Sequence, residues 1–230
     1  DAELFDYFEQ PADGASPHEN LRLHQAILAE IPCQAHRVLD VGCGSAWAAA
    51  ALCPRGMEVW SMDISTVNPE KAIQAYPFDS HFGVVADVFA MPFQAGVFDA
   101  VIAAEVIEHV PDPGLFVHCL LRVLRPGGIL IVTTPYKEII QYSLCIHCNH
   151  PTPHHAHLHS FDERKLVNLS PAAKAEVERI YAFSNKALAR LQTHVLLRFL
   201  PFWLWRLVDR SFNALIPRQG RLLMKCRRKA

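Results

Sequence analysis

The stretch Arg37-Val-Leu-Asp-Val-Gly-Cys-Gly44 joins an apolar run to a glycine turn. Its first five residues read as a buried β-strand, and the alanine-rich segment 46–52 that follows favours a helix. Glycine has no Cβ, so the backbone at Gly42 and Gly44 can turn sharply and come close to a ligand. The stretch therefore predicts a strand, a tight turn and a helix in direct succession.

The same alternation continues along the chain. The predicted elements are strands at 57–62, 82–87, 98–104 and 129–133, a helix that starts at 68–70 and a helix over 112–124. A helix over Pro17–Ile31, capped by Ser16, precedes them. Alternating strands and helices indicate an α/β fold with a Rossmann-like, doubly wound, mostly parallel sheet.

After residue 135 the regular alternation stops. An insertion rich in cysteine, histidine and proline occupies 136–160, and Ser160-Phe-Asp-Glu163 caps the next helix. The elements expected after it are a strand over 176–183, a helical insertion over 186–213 with a break at Pro201, and a last edge strand over 221–226. With 230 residues, 51% of them hydrophobic, the chain has enough material for one core, and we expect a single domain.

Acidic residues close several of the predicted strands. In a doubly wound sheet, ligands bind beyond the carboxyl ends of the strands, so these side chains should face one pocket. Asp63 ends the second strand nineteen residues after Gly44, the spacing at which such folds bind the hydroxyls of a ribose. Asp87 ends the third strand, where a carboxylate can accept from an adenine amine, and Glu105 follows the fourth. The pattern indicates a site for a ligand that contains ribose and adenine.

With these residues in this order, the sequence resembles the class I S-adenosylmethionine-dependent methyltransferases, in the branch called type 11. The motifs that carry the resemblance are Val38-Leu-Asp-Val-Gly-Cys-Gly44, Met62-Asp-Ile64, Val85-Ala-Asp-Val88, 98–113 and 121–129. They cover about residues 36 to 134 in the family's order and spacing. A nicotinamide-dependent oxidoreductase is the competing class, but the glycine turn lacks the third glycine of that fingerprint.

The resemblance implies which residues bind S-adenosylmethionine. They are Asp40, Gly42, Cys43, Gly44, Asp63, Ile64, Asp87, Val88 and Glu105. The first aspartate and the glycines would contact the methionine and ribose portion, Asp63 the ribose hydroxyls, and Asp87 with Val88 the adenine. Each has a structural alternative, because glycines form turns and aspartates cap helices. The family's first helix often closes over the cofactor, which would bring Tyr7 or His24 near it.

The chain then divides into four parts. These are a helical cap (1–35), a cofactor-binding core (36–134), the Cys/His insertion (136–160) and a C-terminal part with a basic, aromatic helix (161–230). All four are expected to belong to one methyltransferase domain.

His109 is the candidate catalytic base. It follows the fourth strand on the carboxyl side of the sheet, and an imidazole with a pKa of ~6.5 titrates in the useful range. Alternatively, Glu108-His109 is a loop element that orders the helix starting at Asp112. Glu105, Glu108 and His109 also resemble the cluster with which quinone-pathway O-methyltransferases of this branch bind a divalent cation, and this donor set suits magnesium, manganese or zinc.

The insertion contains a CxxC pair, Cys145 and Cys148, followed by five histidines within 150–159. Two thiolates at this spacing and two imidazoles complete a tetrahedral zinc site, for which we select His150 and His155. Two alternatives stay open. In the first, the insertion is an active-site lid with free thiols. In the second, its histidines bind the acceptor or transfer protons.

Residues 195–208 mix large apolar side chains with arginines, and 186–230 contain eleven Lys/Arg and one acid, Asp209. Such a helix can lie at a membrane interface or shape a pocket for a lipid-like acceptor. It can equally be an ordinary amphipathic helix that covers the sheet or forms a homodimer contact. No RNA-binding module is evident, so a nucleic-acid partner is not expected.

These patterns favour an enzyme that transfers a methyl group to a small or lipid-like acceptor. The alternative is a non-catalytic module on the same fold that binds the cofactor or zinc, and the intact glycine and aspartate motifs argue against it. The first ten residues carry four acidic and no basic side chains, unlike a signal peptide, and seven cysteines do not suggest a disulfide framework. A cytoplasmic location is therefore expected.

Overall fold

The computed structural model describes residues 16–190 and 193–230, together with Asp6 and Phe8. The helices in these residues are α1 (Ser16–Leu28), α2 (Trp47–Leu52), α3 (Val67–Ala75), α4 (Pro113–Val123), α5 (Glu163–Asn168), α6 (Lys186–Arg190), α7 (His194–Leu197) and α8 (Phe202–Leu215). The strands are β1 (Arg37–Val41), β2 (Glu58–Asp63), β3 (His81–Val85), β4 (Phe98–Ala104), β5 (Leu124–Pro135), β6 (Tyr142–Leu144), β7 (Pro151–Pro153), β8 (Ala175–Asn185) and β9 (Gln219–Arg228).

Seven of the strands form one sheet in the order β3-β2-β1-β4-β5-β9-β8. The five strands from β3 to β5 are parallel, and β9 runs antiparallel to both β5 and β8. The strand order reverses between β1 and β4, which is the place where doubly wound sheets bind their ligands. The predicted fold class is confirmed.

The two faces of the sheet are covered by different helices. Side chains alternate across a strand, so Leu39 and Val41 of β1 pack on the face that α4 covers, whereas Val38 packs on the face of α1 and α2. The central strands are therefore buried on both faces, as expected for strands with near-continuous apolar sequence. This rigid centre holds the carboxyl ends of β1 and β4 in place.

The last strand was predicted at the edge of the sheet, and that prediction is wrong. β9 lies between β5 and β8, and β8 forms the edge. The physical reason is visible in its burial, because Leu222, Leu223 and Met224 are fully buried in succession. Consecutive buried residues point to opposite faces of a strand, so this segment requires cover on both sides.

Two helices, α4 and α5, begin at a capping aspartate, and two predicted caps are corrected. Ser16 is itself the first residue of α1. The Asp112 carboxylate accepts a hydrogen bond from the backbone N–H of Leu115 (2.9 Å) at the start of α4. The helix after the insertion begins at Glu163, and its cap is Asp162, which accepts from Lys165 N–H (2.8 Å), instead of the predicted Ser160. Asp162 immediately precedes the first helical residue, where a side-chain oxygen can reach the free N–H groups.

The insertion contains a short β-hairpin, which the sequence patterns did not predict. β6 pairs antiparallel with β7, and Cys145 N–H donates to the His150 carbonyl (2.9 Å). The side chains of the hairpin are largely exposed, and Ile146 at its tip is 93% exposed. The hairpin thus projects from the domain.

The helical insertion 186–213 is broken as predicted. α7 ends before Pro201 and α8 starts after it. Trp205 of α8 is buried against α1, where the Arg22 guanidinium lies 5.2 Å from the centre of its ring. Among the described residues, no helix has both the length and the apolar character needed to span a bilayer.

Candidate active site

The glycine turn lies at the carboxyl end of β1. Gly42 N–H and Cys43 N–H both donate to the Met62 carbonyl of β2 (2.8 and 3.0 Å). Gly42 has φ +70° and Gly44 φ +47°, conformations that residues with a Cβ rarely adopt. A Cβ on Gly42 would lie 2.5 Å from Cγ2 of Val106, so the loop after β4 packs directly on this turn.

Asp63 closes β2 beside the turn. Its Oδ2 accepts from Gly44 N–H (3.2 Å) and from Asn68 Nδ2 (3.3 Å), and its Oδ1 accepts from Ser65 N–H (2.9 Å). The structural role considered for this aspartate is therefore real. These bonds also fix the carboxylate at the position predicted to bind ribose hydroxyls, because each oxygen can accept more than one hydrogen bond.

Asp40 is a buried carboxyl group whose two oxygens have no hydrogen-bond partner among the described residues. It is 1% exposed. Burial and, secondarily, the Asp63 carboxylate raise the pKa of Asp40 to about 7. A buried carboxyl group without a partner costs free energy, so this position fits a ligand that brings a cation or hydrogen-bond donors. S-adenosylmethionine, with its ammonium, sulfonium and ribose hydroxyls, has those groups.

The remaining predicted cofactor residues surround the same strand ends. Cys43 is buried, and burial raises the pKa of its thiol, so it is an uncharged apolar neighbour of the turn. Asp87 is exposed, and its Oδ1 accepts from Phe89 N–H (3.0 Å). Ile64 is exposed and Val88 half-buried, which leaves apolar surface next to two carboxylates. Such an edge suits a flat aromatic base.

Glu105 follows β4 in a left-handed conformation with φ +57°. A non-glycine residue in this region is uncommon and directs its side chain unusually. Oε2 forms an ion pair with Nη1 of Arg221 on β9 (2.7 Å), and Oε1 is buried without a partner among the described residues. The arginine was not predicted, because it lies far away in sequence and only the antiparallel placement of β9 brings it here.

α1 lies against this ion pair and against α2. His24 stacks on Trp47, with ring centroids 4.0 Å apart and an interplanar angle of 5°. Burial and then Arg221 lower the pKa of His24 to about 4. Asn20 of α1 accepts from the Arg221 guanidinium (3.3 Å). His24 thus lies close to Arg221, but its closure over the cofactor stays a prediction, and Tyr7 lies outside the described residues.

Three side chains beyond β4 converge on one point. Ligand atoms of Glu108, His109 and His157 all lie within 4.8 Å of one another. Glu108 is 1% exposed, Thr134 Oγ1 donates to its Oε2 (3.0 Å), and its Oε1 has no partner among the described residues. Burial and the Glu105 carboxylate raise the pKa of Glu108 well above its usual range.

The two histidines of this group are held by different contacts. Burial and the neighbouring His157 lower the pKa of His109, whose Nδ1 lies 3.3 Å from the Ala156 carbonyl oxygen. The His157 Nδ1 contacts the Glu138 carboxylate, which orients the ring. Leu158 N–H donates to the Glu108 carbonyl (2.7 Å), so the insertion is anchored on the loop after β4.

The metal ligands selected from the sequence are not brought together. Cys145, Cys148, His150 and His155 do not form a converging set, since the one such group in the described ranges is Glu108, His109 and His157. Glu105 also lies outside that group. The Cys145 thiol receives hydrogen bonds from nearby backbone N–H groups, first that of Cys148, which lower its pKa. The zinc site stays a prediction. His157 was one of the five histidines, and only the docking of the insertion distinguishes it.

Residues 39–132 match the family described as a methyltransferase domain. Similar characterised proteins include the ubiquinone biosynthesis O-methyltransferases of Xylella fastidiosa (33% identical over 128 residues) and Psychrobacter arcticus (34% over 124 residues). The match to the Xylella protein covers 52% of this chain and 50% of that protein. The match to the Psychrobacter protein covers 51% of this chain and 48% of that protein. The chain thus spans about half the length of these relatives.

Solved structures share the fold at low identity. An S-adenosylmethionine-dependent methyltransferase from Mesorhizobium loti has a TM-score of 0.66 at 16% identity, over 92% of this chain and 100% of that one. The 1,6-didemethyltoxoflavin-N1-methyltransferase of Burkholderia thailandensis, with bound 1,6-didemethyltoxoflavin and S-adenosylhomocysteine, has a TM-score of 0.58 at 18% identity. The match covers 94% of this chain and 78% of that one. The [4+2]-cyclase SpnF has a TM-score of 0.65 at 18% identity, over 92% of this chain and 83% of that one. The cyclase illustrates that the fold is compatible with more than one reaction.

Proposed function

We propose that the chain is a class I S-adenosylmethionine-dependent methyltransferase and that it transfers a methyl group to an oxygen atom of a small, lipid-like acceptor. The observation that supports the proposal most is the buried, unpartnered Asp40 beside the glycine turn and Asp63. The acceptor class follows the names of the relatives, which methylate oxygen in ubiquinone biosynthesis. We therefore propose a hydroxylated aromatic ring as the acceptor.

Each part of the site has a task in this proposal. S-adenosylmethionine, when bound, supplies a methyl group on a positively charged sulfur, and the charge disappears on transfer. Asp40 and the Gly42–Gly44 turn would hold the methionine and ribose portion, Asp63 the ribose hydroxyls, and Asp87 with Val88 the adenine. Most of the rate then comes from alignment of acceptor and methyl, which contributes about 7–11 kcal/mol in well-oriented reactions.

His109 is the proposed base for the acceptor hydroxyl. Its lowered pKa keeps the imidazole neutral, and a neutral imidazole can accept a proton. The Ala156 carbonyl beside its Nδ1 favours the tautomer in which Nε2 is the acceptor.

The proposal is tested by binding and by turnover. Calorimetry with S-adenosylhomocysteine should show binding that Asp40→Asn weakens at least about tenfold, since a charge-assisted contact contributes about 1.5–3 kcal/mol. The matched control is Asp79→Asn, which changes an exposed aspartate. Transfer of labelled methyl to a panel of catechols and other phenols then identifies the acceptor. The proposal would be contradicted if well-folded wild-type protein bound S-adenosylhomocysteine no better than the Asp40→Asn variant does.

The alternative of a non-catalytic module is not favoured. The glycine turn is closed by two hydrogen bonds to β2, and the predicted ribose-binding carboxylate is held beside it. A turnover assay that detects methyl transfer to any phenol excludes the alternative.

As an alternative role for His109, we propose that it holds a divalent cation together with Glu108 and His157, since a ring nitrogen that binds a metal cannot also accept the proton of the acceptor. The donor set fits, because the unpartnered Glu108 Oε1 and two imidazoles suit a transition metal such as zinc or manganese. His157 then takes the place expected for Glu105, which is paired with Arg221. A bound cation would hold Glu108 in its charged form and orient the acceptor oxygen.

A second metal, the structural zinc at Cys145 and Cys148, remains a separate proposal with two of the insertion's histidines as further ligands. Elemental analysis of purified variants separates the two sites. His157→Ala should remove the first metal and the double change Cys145→Ser and Cys148→Ser the second, with His36→Ala and Cys33→Ser as controls at exposed positions. Metal-free wild-type protein after purification with added zinc and manganese would overturn both.

The region 195–216 is proposed to contact a membrane surface. Its exposed apolar side chains include Leu196 (76%), Phe199 (73%), Trp203 (69%) and Leu207 (57%), and exposed arginines lie beside them. Aromatic and aliphatic side chains interspersed with arginine bind anionic lipid surfaces. This would suit a lipid-like acceptor. A homodimer through the same surface is the competing occupant.

Flotation with phosphatidylglycerol vesicles distinguishes these occupants. The variant with Phe199→Ser and Trp203→Ser should lose vesicle binding, whereas Ile146→Ser, which removes an equally exposed apolar side chain from the hairpin, should keep it. Sedimentation that shows a dimer broken by the same pair of substitutions, without any vesicle binding, would support the dimer and contradict the membrane proposal.

A further inference from the structure

A cleft of about 550 Å³ opens next to the carboxyl end of β5. It lies between the first residues of the insertion, the start of α6 and the segment that leads into β9. Tyr136, Lys137, Lys186, Arg218 and Gln219 contribute side chains to its lining. None of the predicted cofactor residues is among them, so the cleft is distinct from the cofactor site.

The charges in this cleft are not compensated. Lys137, Lys186 and Arg218 have no ion-pair partner in the part of the chain that the structure describes. Nearby basic residues of β9 differ, because Arg221 pairs with Glu105 and Lys225 lies 3.5 Å from Glu178. Three cations gathered in a concave surface create a local positive potential that attracts an anion.

Tyr136 and then the carboxylates of Glu163 and Asp162 raise the pKa of Lys137, without forming an ion pair with it among the described residues. Both oxygens of Glu163 accept from the Tyr136 hydroxyl (2.9 and 3.1 Å). The tyrosine thereby stands in the cleft wall as a fixed polar group.

Backbone bonds hold the walls of the cleft in position. Lys186 N–H donates to the Arg218 carbonyl (2.8 Å), and Tyr136 N–H donates to the Gly220 carbonyl (2.9 Å). The cations therefore extend from fixed backbone, and ordering them for a ligand costs only side-chain entropy. A preformed site of this kind binds better than one that must assemble.

The cleft lies beside the proposed site of methyl transfer. Pro135 of β5 pairs with Arg221 of β9, and the guanidinium of that arginine reaches Glu105 at the end of β4. Tyr136 and Gln219 are the next lining residues outward along these two strands. One acceptor molecule can thus present its hydroxyl near His109 while another part lies in the cleft.

We propose that this cleft binds an anionic group of the acceptor, a carboxylate or a phosphate, and so selects acidic acceptors over neutral ones. The inference rests on the proposed function and gives it a substrate class. Guanidinium and ammonium groups make charge-assisted hydrogen bonds to such oxygens, and Gln219 adds a neutral donor. The anion belongs either to a small aromatic acid or to a lipid headgroup.

The test measures binding directly, without turnover. Backbone amide shifts at Lys137, Lys186 and Gln219 are followed by NMR while inorganic phosphate, 3,4-dihydroxybenzoate, monomeric short-chain phosphatidylglycerol or neutral 4-methylcatechol is added. We expect the first probe and at least one of the two organic anions to shift these amides, and 4-methylcatechol to shift them much less. The organic anion that binds more tightly identifies the source.

Charge-reversal variants complete the test. Lys186→Glu with Arg218→Glu should weaken anion binding at least about tenfold, because two charge-assisted contacts become repulsive. Arg55→Glu, which reverses an exposed cation in the turn after α2, should leave anion binding unchanged. Anion binding that survives the double reversal, or equal binding of 4-methylcatechol, overturns the inference. If the wild type does not bind S-adenosylhomocysteine, the proposed function is overturned instead. The phosphate titration would then still show whether the cleft binds an anion.

Discussion

Asp40 shows how a single residue can be unfavourable for folding and favourable for binding. Its pKa is raised to about 7 because it is buried and faces Asp63. The folded state therefore holds a proton that the unfolded chain, with an ordinary pKa of ~3.9, releases. The free energy of unfolding should fall as the pH rises from about 4 to about 7, since the folded state binds more protons in that window.

Asp40→Asn should remove this part of the pH dependence. The variant is expected to be more stable than the wild type at pH 8 and close to it at pH 4, with a difference of about 1.4 kcal/mol for each unit of the pKa shift. Urea denaturation of the cofactor-free protein at several pH values measures it. Asp79→Asn is the control at an exposed position. Parallel pH profiles for wild type and Asp40→Asn would show that the carboxyl group has a partner in solution.

His109→Gln distinguishes a base from a loop element. If His109 is the base, kcat should fall by about 10²- to 10⁴-fold while the affinity for S-adenosylhomocysteine stays the same. Turnover and calorimetry on the same preparation measure the two quantities, with His36→Gln as the exposed control. Unchanged kcat would leave His109 a structural residue. A loss of bound metal together with kcat would assign it to the cation.

At the level of elements, the turn between β1 and α2 has a steric requirement beyond its backbone angles. Gly42→Ala and Gly56→Ala both place a Cβ at positive φ, +70° and +83°. At Gly56 there is open space, whereas at Gly42 the Cβ would lie 2.5 Å from Val106. Gly42→Ala should therefore be more destabilising than Gly56→Ala, by about 1–3 kcal/mol of overpacking.

Urea denaturation of both alanine variants gives the difference, and the double change Gly42→Ala with Val106→Ala should recover part of it. Equal destabilisation of the two single variants would mean that only backbone strain matters. Gly42→Ala should also weaken cofactor binding, because the turn can no longer lie close to the loop after β4.

Local sequence patterns predicted the first half of the fold well. β1 and β4 match their predicted bounds, because mainly apolar runs end at a glycine or an acidic residue. The fifth strand was predicted over 129–133, and β5 instead starts at Leu124 with residues 125–128 bulged out of register. Pairing of Leu124 with Phe98 places the start of the strand before these four residues.

Contacts between distant segments were not predictable. Nothing around Arg221 signals that it pairs with Glu105, and nothing in the histidine-rich insertion singles out His157 as the residue that meets Glu108 and His109. Both follow from tertiary placement, by β9 in one case and by docking of the insertion in the other. The pattern of apolar residues 222–224 did contain a signal, since burial on both faces is typical of an interior strand.

At the scale of the whole molecule, β9 is the element on which the rest of the sheet depends. Ending the chain after Arg218 should abolish the cooperative unfolding transition, because β8 would lose its neighbour and β5 would expose an apolar edge. Ending it after Arg228, which removes only the contacts of Lys229, should leave the transition within about 1 kcal/mol of the wild type. Circular dichroism and thermal melting compare the two. A folded short form would show that β1 to β5 are stable alone.

The interior position of β9 also affects how the protein is made. Residues 219–228 leave the ribosome after every other strand of the sheet, yet they must enter between two strands that are already synthesised. Until then the nascent chain carries the open side of β5, which invites pairing with neighbouring polypeptides, and β8 has no partner. Translation speed through residues 219–228, and chaperones that shield the unpaired edge of β5, should therefore set the yield of native protein more strongly than they would for a sheet assembled in chain order.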